Sequence, residues 1–322
     1  MAPRQRCFAL AAARLLPALF ALMASSAPAS RALASAPPPA RDGPGFNVIV
    51  VGGSSGMGKA AAVAAVRRGG RALIAGRSEE RLQRAAEEIR SYVSPEEDGD
   101  GAEDRVRTVV LDASDESEVE RFAALLRGEG KDGESEWDGL VVSAAGPAPH
   151  GPVTSLETSK TRGLFDTKFW SAYHCAKHVS PLLRDGGSVA FVAGVLNRRP
   201  GINCAPLAAT NGALEGLTRA LALEFGPRLR VNCLSPGFCD TERFDRMDPD
   251  RKAAMLANTA ESLPLGKVGR PEDMGEAIYY LLTAGFVTGT VLDVDGGHGV
   301  RQYANAANDP MRKTPQQSSA TS

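Results

Sequence analysis

The sequence predicts an α/β protein built on one doubly wound parallel sheet, and three observations support this fold class. Strand-like and helix-like segments alternate along most of the chain. The strand-like segments are short, apolar and rich in β-branched residues, which is typical of parallel strands buried on both faces. The length of 322 residues, the 43% hydrophobic content and the 34 glycines suit one large domain with many tight turns.

Each of the first six predicted strands is followed by a helix, and two helices follow the sixth strand. This alternation specifies a parallel sheet that helices cover on both faces. The predicted strands are Phe46–Val51, Arg71–Ala75, Arg105–Leu111, Gly139–Ser143, Ser188–Val192, Arg230–Leu234 and Val291–Val294. The predicted helices are Gly56–Arg68, Glu79–Tyr92, Glu116–Arg127, Thr167–Leu183, Ala208–Glu224, Asp250–Thr259 and Glu272–Leu282.

A glycine-rich turn joins the first strand to an Ala/Val-rich first helix. At the start of such a helix, free backbone N–H groups and the helix dipole converge, and together they can bind a pyrophosphate. Gly52 allows the tight turn, Gly56 lets backbone approach phosphate, and Gly58 lets the helix lie close to the strand. An ordinary tight turn is the alternative. The loop residues Ser54, Ser55 and Met57 complete the expected nucleotide site.

The residues after the second and third strands indicate which dinucleotide binds. The second strand ends at Gly76 and is followed by Arg77, where an acidic residue would favour NAD. A cation pairs instead with the 2′-phosphate of NADP, so NADP(H) is preferred and NAD(H) is the alternative. Lys59 is a candidate second cation. Asp112 is placed to contact the adenine ring, or else serves as a turn or N-cap residue.

Composition argues against several classes of partner. The net charge is −1 and no basic face is evident, so the sequence predicts no nucleic-acid binding. None of the five cysteines forms a CxxC pair and histidine is scarce, so no metal site is expected and the thiols are predicted to be free.

The two ends of the chain differ in composition from the region between them. Residues 1–43 are rich in Ala, Ser and Pro, and Arg4 and Arg6 precede an apolar stretch, Leu15 to Ala24, with small-residue sites after it. This pattern resembles a secretory signal, alone or as part of a plastid leader, with a mitochondrial leader as the alternative. The stretch is too short and too interrupted for a membrane span, so none is expected after leader removal. Residues 44–300 form the predicted domain, and 301–322 a disordered tail.

Five motifs follow one another between Phe46 and His298. They are Gly52-Gly53-Ser54-Ser55-Gly56-Met57-Gly58, Leu111-Asp112, Ser143-Ala144-Ala145-Gly146, Arg230-Val231-Asn232-Cys233-Leu234-Ser235-Pro236-Gly237, and Val287-Thr288-Gly289 leading into Asp293-Val294-Asp295-Gly296-Gly297. In their order and spacing this segment resembles the short-chain dehydrogenase/reductase family. The resemblance implies a single Rossmann-type domain that binds a nicotinamide dinucleotide and a small-molecule substrate.

The same resemblance implies roles for individual residues. Ala145 and Gly146 would line the adenosine side of the cofactor, Pro236 and Gly237 would lie behind the nicotinamide, and Thr241 would lie near its carboxamide. The predicted helices Thr167–Leu183 and Ala208–Glu224 correspond to the family's usual association surface, which implies a homodimer or homotetramer.

The chain departs from the family at the four catalytic positions, which are normally Asn, Ser, Tyr and Lys. Lys168 stands for the Asn, Gly194 for the Ser, Leu207 for the Tyr and Asn211 for the Lys. In this respect the chain resembles a divergent branch of the family. Because Lys and Asn have changed places, we expect Lys168 and Asn211 to face one cleft, where Lys168 holds the nicotinamide ribose or stabilises an oxyanion. Alternatively, Lys168 extends to solvent and Asn211 only packs.

Two functions are consistent with these residues, with purely structural use of the fold as a third. The first is NADP(H)-dependent hydride transfer to or from a carbonyl or alcohol by an altered proton path. The second is a non-catalytic NADP(H)-binding protein that acts as a sensor or scaffold. Arg198 and Arg199, in the loop before the Leu207 helix, are candidates for binding an anionic substrate, or are ordinary exposed loop charges.

Overall fold

Seven parallel strands form the central sheet in a computed structural model, which describes residues 45–93, 105–129 and 137–300. Their spatial order is β3-β2-β1-β4-β5-β6-β7, so the order reverses between β1 and β4. A doubly wound sheet binds its ligand in the crevice at such a switch point. The strands are β1 Val48–Val51, β2 Ala72–Gly76, β3 Val106–Val110, β4 Gly139–Val142, β5 Ser188–Val192, β6 Arg230–Pro236 and β7 Val291–Val294.

Helices connect the strands and cover both faces of the sheet. Short helical turns at Asp166–Trp170 (π), Ser180–Leu182, Val195–Asn197 and Glu242–Phe244 add to them. The α-helices are α1 Gly56–Val66, α2 Glu79–Arg90, α3 Glu116–Glu129, α4 Thr158–Phe165, α5 Ser171–His178, α6 Ala205–Phe225, α7 Pro249–Ser262 and α8 Pro271–Thr283.

The core has two apolar clusters, one on each face of the sheet. Alternate residues of β1 enter different clusters: Ile49 and Val51 one, Val48 and Val50 the other. All four side chains are buried, as expected of a strand covered on both faces. The alternating strand and helix pattern is therefore confirmed as a single-domain, doubly wound α/β fold.

The prediction of a helix over Thr167–Leu183 is wrong at both ends. The structure starts this region earlier, with α4, and interrupts it with a π turn before α5. The sequence of α4, TSKTRGLF, buries only Leu164, so it has no apolar periodicity from which a helix is predicted. After α5 the chain forms a single 3₁₀ turn that contains Pro181.

Several expectations lie outside the described residues. These are the leader over 1–43 and the tail over 301–322. Among the residues that the structure describes, no helix is both long enough and apolar enough to cross a membrane.

Candidate active site

The glycine loop after β1 packs so closely against neighbouring backbone that no side chain fits at Gly52 or Gly58. Gly52 has φ +87°, and a Cβ on it would lie 2.6 Å from the backbone nitrogen of Ala144. A Cβ on Gly58 would lie 2.3 Å from the carbonyl oxygen of Gly52. The first turn of α1 therefore lies against the end of β1, and its free N–H groups face the crevice.

A carboxylate of the chain occupies the N-terminus of α1. The backbone N–H of Gly56 donates to Glu242 Oε2 over 2.7 Å, and Lys59 Nζ lies 2.8 Å from Glu242 Oε1. Burial would raise the pKa of Glu242, but the hydrogen bonds from Lys59 and Gly56 lower it below its ordinary value. The helix terminus thus already holds an anionic oxygen, as its dipole favours.

Lys59, the candidate second cofactor cation, is paired with carboxylates of the protein itself. Its ammonium lies 2.7 Å from Glu88 Oε2 in addition to Glu242, so two carboxylates already neutralise it. Sequence reasoning did not identify Glu242, because this residue is 186 positions away from Gly56 along the chain.

The ends of β2 and β3 bring together Ser54, Arg77 and Asp112. A Cβ on Gly76 would lie 3.7 Å from Ser54 Oγ, so the glycine loop lies beside the end of β2. Asp112 accepts hydrogen bonds from Ser114 N over 3.0 Å and from Ser114 Oγ over 2.6 Å. Burial opposes the effect, but these bonds and the charge of Arg77 lower the pKa of Asp112. Asp112 therefore forms a turn with Ser114, which is the alternative to an adenine contact that the sequence leaves open.

The end of β4 contacts the π turn directly. Gly146 N donates to Thr167 Oγ1 over 3.0 Å, and a Cβ on Gly146 would lie 2.6 Å from that oxygen. Ala145, which precedes it, is exposed. Gly146 thus fixes where the π turn, and with it Lys168, enters the site.

The end of β6 closes the crevice on the other side. Pro236 is the last residue of the strand, and a Cβ on Gly237 would lie 2.6 Å from Asp295 Cα. The methyl group of Thr241 would lie 3.4 Å from a Cβ on Gly56. The structure therefore places Thr241 over the glycine loop.

Lys168 and Asn211 contact consecutive residues just after β5. Lys168 is 7% exposed and its Nζ donates to the carbonyl oxygen of Ala193 over 2.8 Å. Asn211 is 1% exposed, and its Nδ2 would lie 2.9 Å from a Cβ on Gly194. The side chain of Lys168 therefore does not extend to solvent, and both side chains lie near the end of the same strand.

Both side chains have unused hydrogen-bonding capacity. Burial lowers the pKa of the Lys168 ammonium to about 8. An ammonium has three N–H donors, and one of them bonds Ala193. The Oδ1 atom of Asn211 is buried and has no hydrogen-bond partner. A buried polar atom of this kind calls for a ligand or an ordered water.

Leu207 lies in the first turn of α6, one turn before Asn211, and is partly buried. Its hydrocarbon side chain can neither give nor accept a proton. Gly194 has φ +156°, and any side chain there would meet Asn211. The small residue at 194 is therefore linked physically to the amide at 211.

Arg198 is exposed, and its guanidinium is bonded to groups of the protein itself. Its Nη2 donates to Ser235 Oγ over 2.9 Å, lies 3.3 Å from Glu215 Oε1 and bonds Asp293. The guanidinium thus links the loop after β5 to α6, β6 and β7.

The sheet order, the switch point and the glycine loop define a dinucleotide-binding α/β protein. A family model described as enoyl-(acyl carrier protein) reductase matches residues 51–299. The chain belongs to the short-chain dehydrogenase/reductase family, whose members are oxidoreductases that bind a nicotinamide cofactor.

Similar proteins cover most of the chain. The short-chain dehydrogenase/reductase ATR9 of Stachybotrys chlorohalonatus is 30% identical over 265 residues, which are 79% of this chain and 96% of the relative. The short-chain dehydrogenase/reductase ucsE of an Acremonium species is 29% identical over 78% of this chain and 94% of the relative. A solved small-chain dehydrogenase in complex with NADPH is 32% identical, with a TM-score of 0.62, over 80% of this chain and all (100%) of that chain.

The residues of the crevice fit a phosphate-bearing dinucleotide. The backbone N–H of Gly56 at the N-terminus of α1 donates to a carboxylate, so this helix terminus can bind an anion. Arg77 follows the last residue of β2 and is exposed. The position therefore carries a cation and not an acidic residue. In this fold the residue after the second strand contacts the adenosine ribose.

Proposed function

We propose that the protein is an NADP(H)-dependent oxidoreductase that transfers hydride to or from a carbonyl or alcohol of a small molecule. Lys168 and Asn211 take the place of the usual catalytic residues. The observation that carries the proposal is the buried ammonium of Lys168 at Ala193 together with the unpartnered Oδ1 of Asn211, whose amide lies at the next residue, Gly194. When bound, the nicotinamide supplies or accepts the hydride, and the protein must orient it and manage the proton.

The cofactor preference rests on the end of β2. Arg77 offers a cation where an acidic residue would favour NAD. The solved relative that is 32% identical is a complex with NADPH. The glycine loop residues Ser54, Ser55, Gly56 and Met57 would hold the phosphates. At the other edge of the crevice, Ala145, Gly146, Pro236, Gly237 and Thr241 would line the cofactor, and Asp112 would lie near its adenine.

Lys168 has the chemistry to handle the proton. Its pKa of about 8 leaves the group charged at neutral pH yet able to release a proton to a developing alkoxide. The same positive charge stabilises an oxyanion in a site that excludes water. Alternatively the ammonium holds the nicotinamide ribose, and in both roles the two free N–H donors are used. Oδ1 of Asn211 would then accept a hydrogen bond from a hydroxyl group.

One observation favours a second candidate, a non-catalytic NADP(H)-binding protein. Leu207 presents hydrocarbon where the family has an acidic phenol. A positioned general acid contributes roughly 10²–10⁴-fold to rate. If Lys168 does not replace this acid, the pocket binds cofactor without turnover.

A paired measurement tests these functions. NADPH is titrated by fluorescence, and its consumption is followed against aldehydes, ketones and quinones, with the wild type, Lys168→Met and Lys160→Met. Lys160 is an exposed lysine paired with Glu157, so it controls for loss of charge. We expect wild-type turnover that falls at least about tenfold in Lys168→Met, as loss of a general acid predicts, and is unchanged in Lys160→Met.

Binding without turnover would support the non-catalytic candidate. Failure to bind either NADPH or NADH would contradict both candidates. Turnover that is identical in Lys168→Met and wild type would remove Lys168 from the mechanism and leave the family assignment intact.

We further propose that residues 1–43 direct the protein to the secretory pathway or an organelle, a plastid or alternatively a mitochondrion. The support is the composition of this segment, with arginines before an apolar stretch and no acidic residue in its first 41 positions. Fusion of residues 1–43 to a fluorescent protein tests this. A diffuse cytosolic signal would contradict it.

A further inference from the structure

Arg81 connects the first turn of α2 to the glycine loop. Its Nη2 donates to Ser55 Oγ over 2.9 Å. Ser78, the N-cap of α2, accepts from the backbone N–H of Arg81 and fixes where this side chain begins. The guanidinium therefore lies at the junction of two elements that both border the end of β2.

This guanidinium has no acidic partner among the residues that the structure describes. By contrast, Arg84 on the same helix lies 3.2 Å from Glu80, and Lys59 is paired with two carboxylates. Arg81 uses one of its five N–H donors on the hydroxyl of Ser55, and the charge is not compensated there.

Arg81 lies in the first turn of α2, where a cation opposes the helix dipole and the acidic residues Glu79 and Glu80 of the same turn complement it. Arg77 lies two residues before the same helix and is also exposed. Arg77 acts on Asp112 through its charge but forms no hydrogen-bonded ion pair with it among the described residues. Two guanidinium groups close in sequence, one of them bonded to a serine of the glycine loop, form a surface suited to a doubly charged anion.

We propose that Arg81 is a second determinant of the NADP(H) preference, and that with Arg77 it binds the 2′-phosphate of the adenosine ribose. Ser55 orients the guanidinium toward the glycine loop, and Lys59 takes no part because Glu88 and Glu242 neutralise it. The inference rests on the proposed NADP(H) binding, and it adds a residue from α2 that the motif after β2 does not include.

The test compares ligands that differ only in the 2′-phosphate. Binding of NADPH and NADH is measured by fluorescence, and 2′,5′-ADP and 5′-AMP are used as competing probes. The variants are Arg81→Gln, Arg81→Lys and the control Arg84→Gln, which removes an exposed cation from the same helix.

We expect Arg81→Gln to weaken NADPH and 2′,5′-ADP about tenfold, as loss of one charge-assisted hydrogen bond predicts, and to change NADH and 5′-AMP by less than about twofold. Arg81→Lys should recover part of the affinity because it keeps the charge. Arg84→Gln should match the wild type for all four ligands. If Arg81→Gln is unstable, Ser55→Ala removes the tether together with one hydroxyl group of the phosphate-binding loop, and it should weaken NADPH and 2′,5′-ADP more than NADH and 5′-AMP.

Two outcomes would overturn the inference and leave NADP(H) binding standing. Equal losses for NADPH and NADH would show that Arg81 only supports the loop, and unchanged NADPH binding would show that it makes no contact. A wild type that binds no NADPH would overturn the proposed function and this inference together.

Discussion

A single buried ammonium, that of Lys168, influences both stability and chemistry. Burial holds the folded-state pKa of Lys168 near 8, against an ordinary value of 10.5. The charged form is therefore less favourable in the folded protein than in the unfolded chain. The same depression that destabilises the fold at neutral pH makes the group a proton donor suited to a hydride-transfer site.

The pH dependence of stability follows from this shift. Between pH 8 and 10.5 the unfolded chain binds more protons at this position than the folded protein, so stability rises with pH. Relative to Lys168→Met, the free energy of unfolding of the wild type should rise by about 3 kcal/mol between pH 7 and 10.5. Urea unfolding across this range measures the difference. The control Lys160→Met should show the same pH dependence as the wild type. Parallel curves for wild type and Lys168→Met would contradict the buried charge.

The pair formed by Gly194 and Asn211 makes a second prediction at the residue scale. A Cβ at 194 would lie 2.9 Å from Asn211 Nδ2, in a core position with φ +156°. Gly194→Ser should therefore lower the free energy of unfolding by about 1–3 kcal/mol, the usual cost of overpacking. In the Asn211→Ala background the same substitution should cost less, since its main steric partner is gone. Additive losses in the double variant would show that the two sites are independent.

At the scale of elements, charged groups link parts of the segment after β6 to one another and to α1. Helix α7 in this segment has no buried residue. Within the segment, Lys252 on α7 lies 3.1 Å from Asp240 and 2.9 Å from Asp245, whereas Glu242 binds the start of α1. Segments with few buried apolar contacts open at low free-energy cost, which suits a loop beside a substrate site.

The carboxylate of Glu242 occupies the N-terminus of α1, where the phosphates of the proposed cofactor would bind. Glu242→Gln keeps the shape and removes the negative charge, so NADPH should bind several-fold more tightly. Stability should fall by at most about 1 kcal/mol, because the ion pair with Lys59 is partly solvated. Glu88→Gln is the matched control, since Glu88 pairs with Lys59 but makes no hydrogen bond to Gly56. Weaker NADPH binding in Glu242→Gln would show instead that the carboxylate supports the cofactor site.

Elements whose apolar residues recur regularly are predictable from sequence, and others are not. Strand β5, Ser188–Val192, has the predicted bounds because its residues form one buried run. Helix α4 is not predictable, because a polar segment with a glycine becomes helical only when the neighbouring chain holds it. The π turn lies almost entirely within the predicted helix Thr167–Leu183, so the sequence predicts a helix at Lys168 but not its π geometry.

At the scale of the whole molecule, the π turn, α5 and α6 leave apolar side chains exposed. Trp170 in the π turn is 43% exposed, Tyr173 on α5 is 41% exposed, and Leu223 on α6 is 87% exposed. Large exposed apolar residues favour association. The proposal of a homodimer or homotetramer rests on these residues and on the family resemblance.

A charge placed on this surface should therefore separate the subunits. Leu223→Glu should shift the mass measured by light scattering to a smaller species, because burying an unpaired carboxylate in an interface is unfavourable. Val153→Glu, at a position 71% exposed in the loop before α4, should leave the mass unchanged. A monomeric wild type, or an unchanged mass for Leu223→Glu, would contradict association through α6.

The sequence by itself determined the doubly wound sheet and the glycine loop, because short apolar β-branched runs, helix-like segments and glycine-rich turns are local properties of a chain. Only the tertiary structure decided which charges are free. It buried Lys168 against Ala193, paired Lys59 with Glu88 and Glu242, paired Arg198 with Glu215 and Asp293, and left Arg81 beside Ser55. Such partners come from distant segments, and whether a charge is neutralised or available depends on what the fold brings next to it.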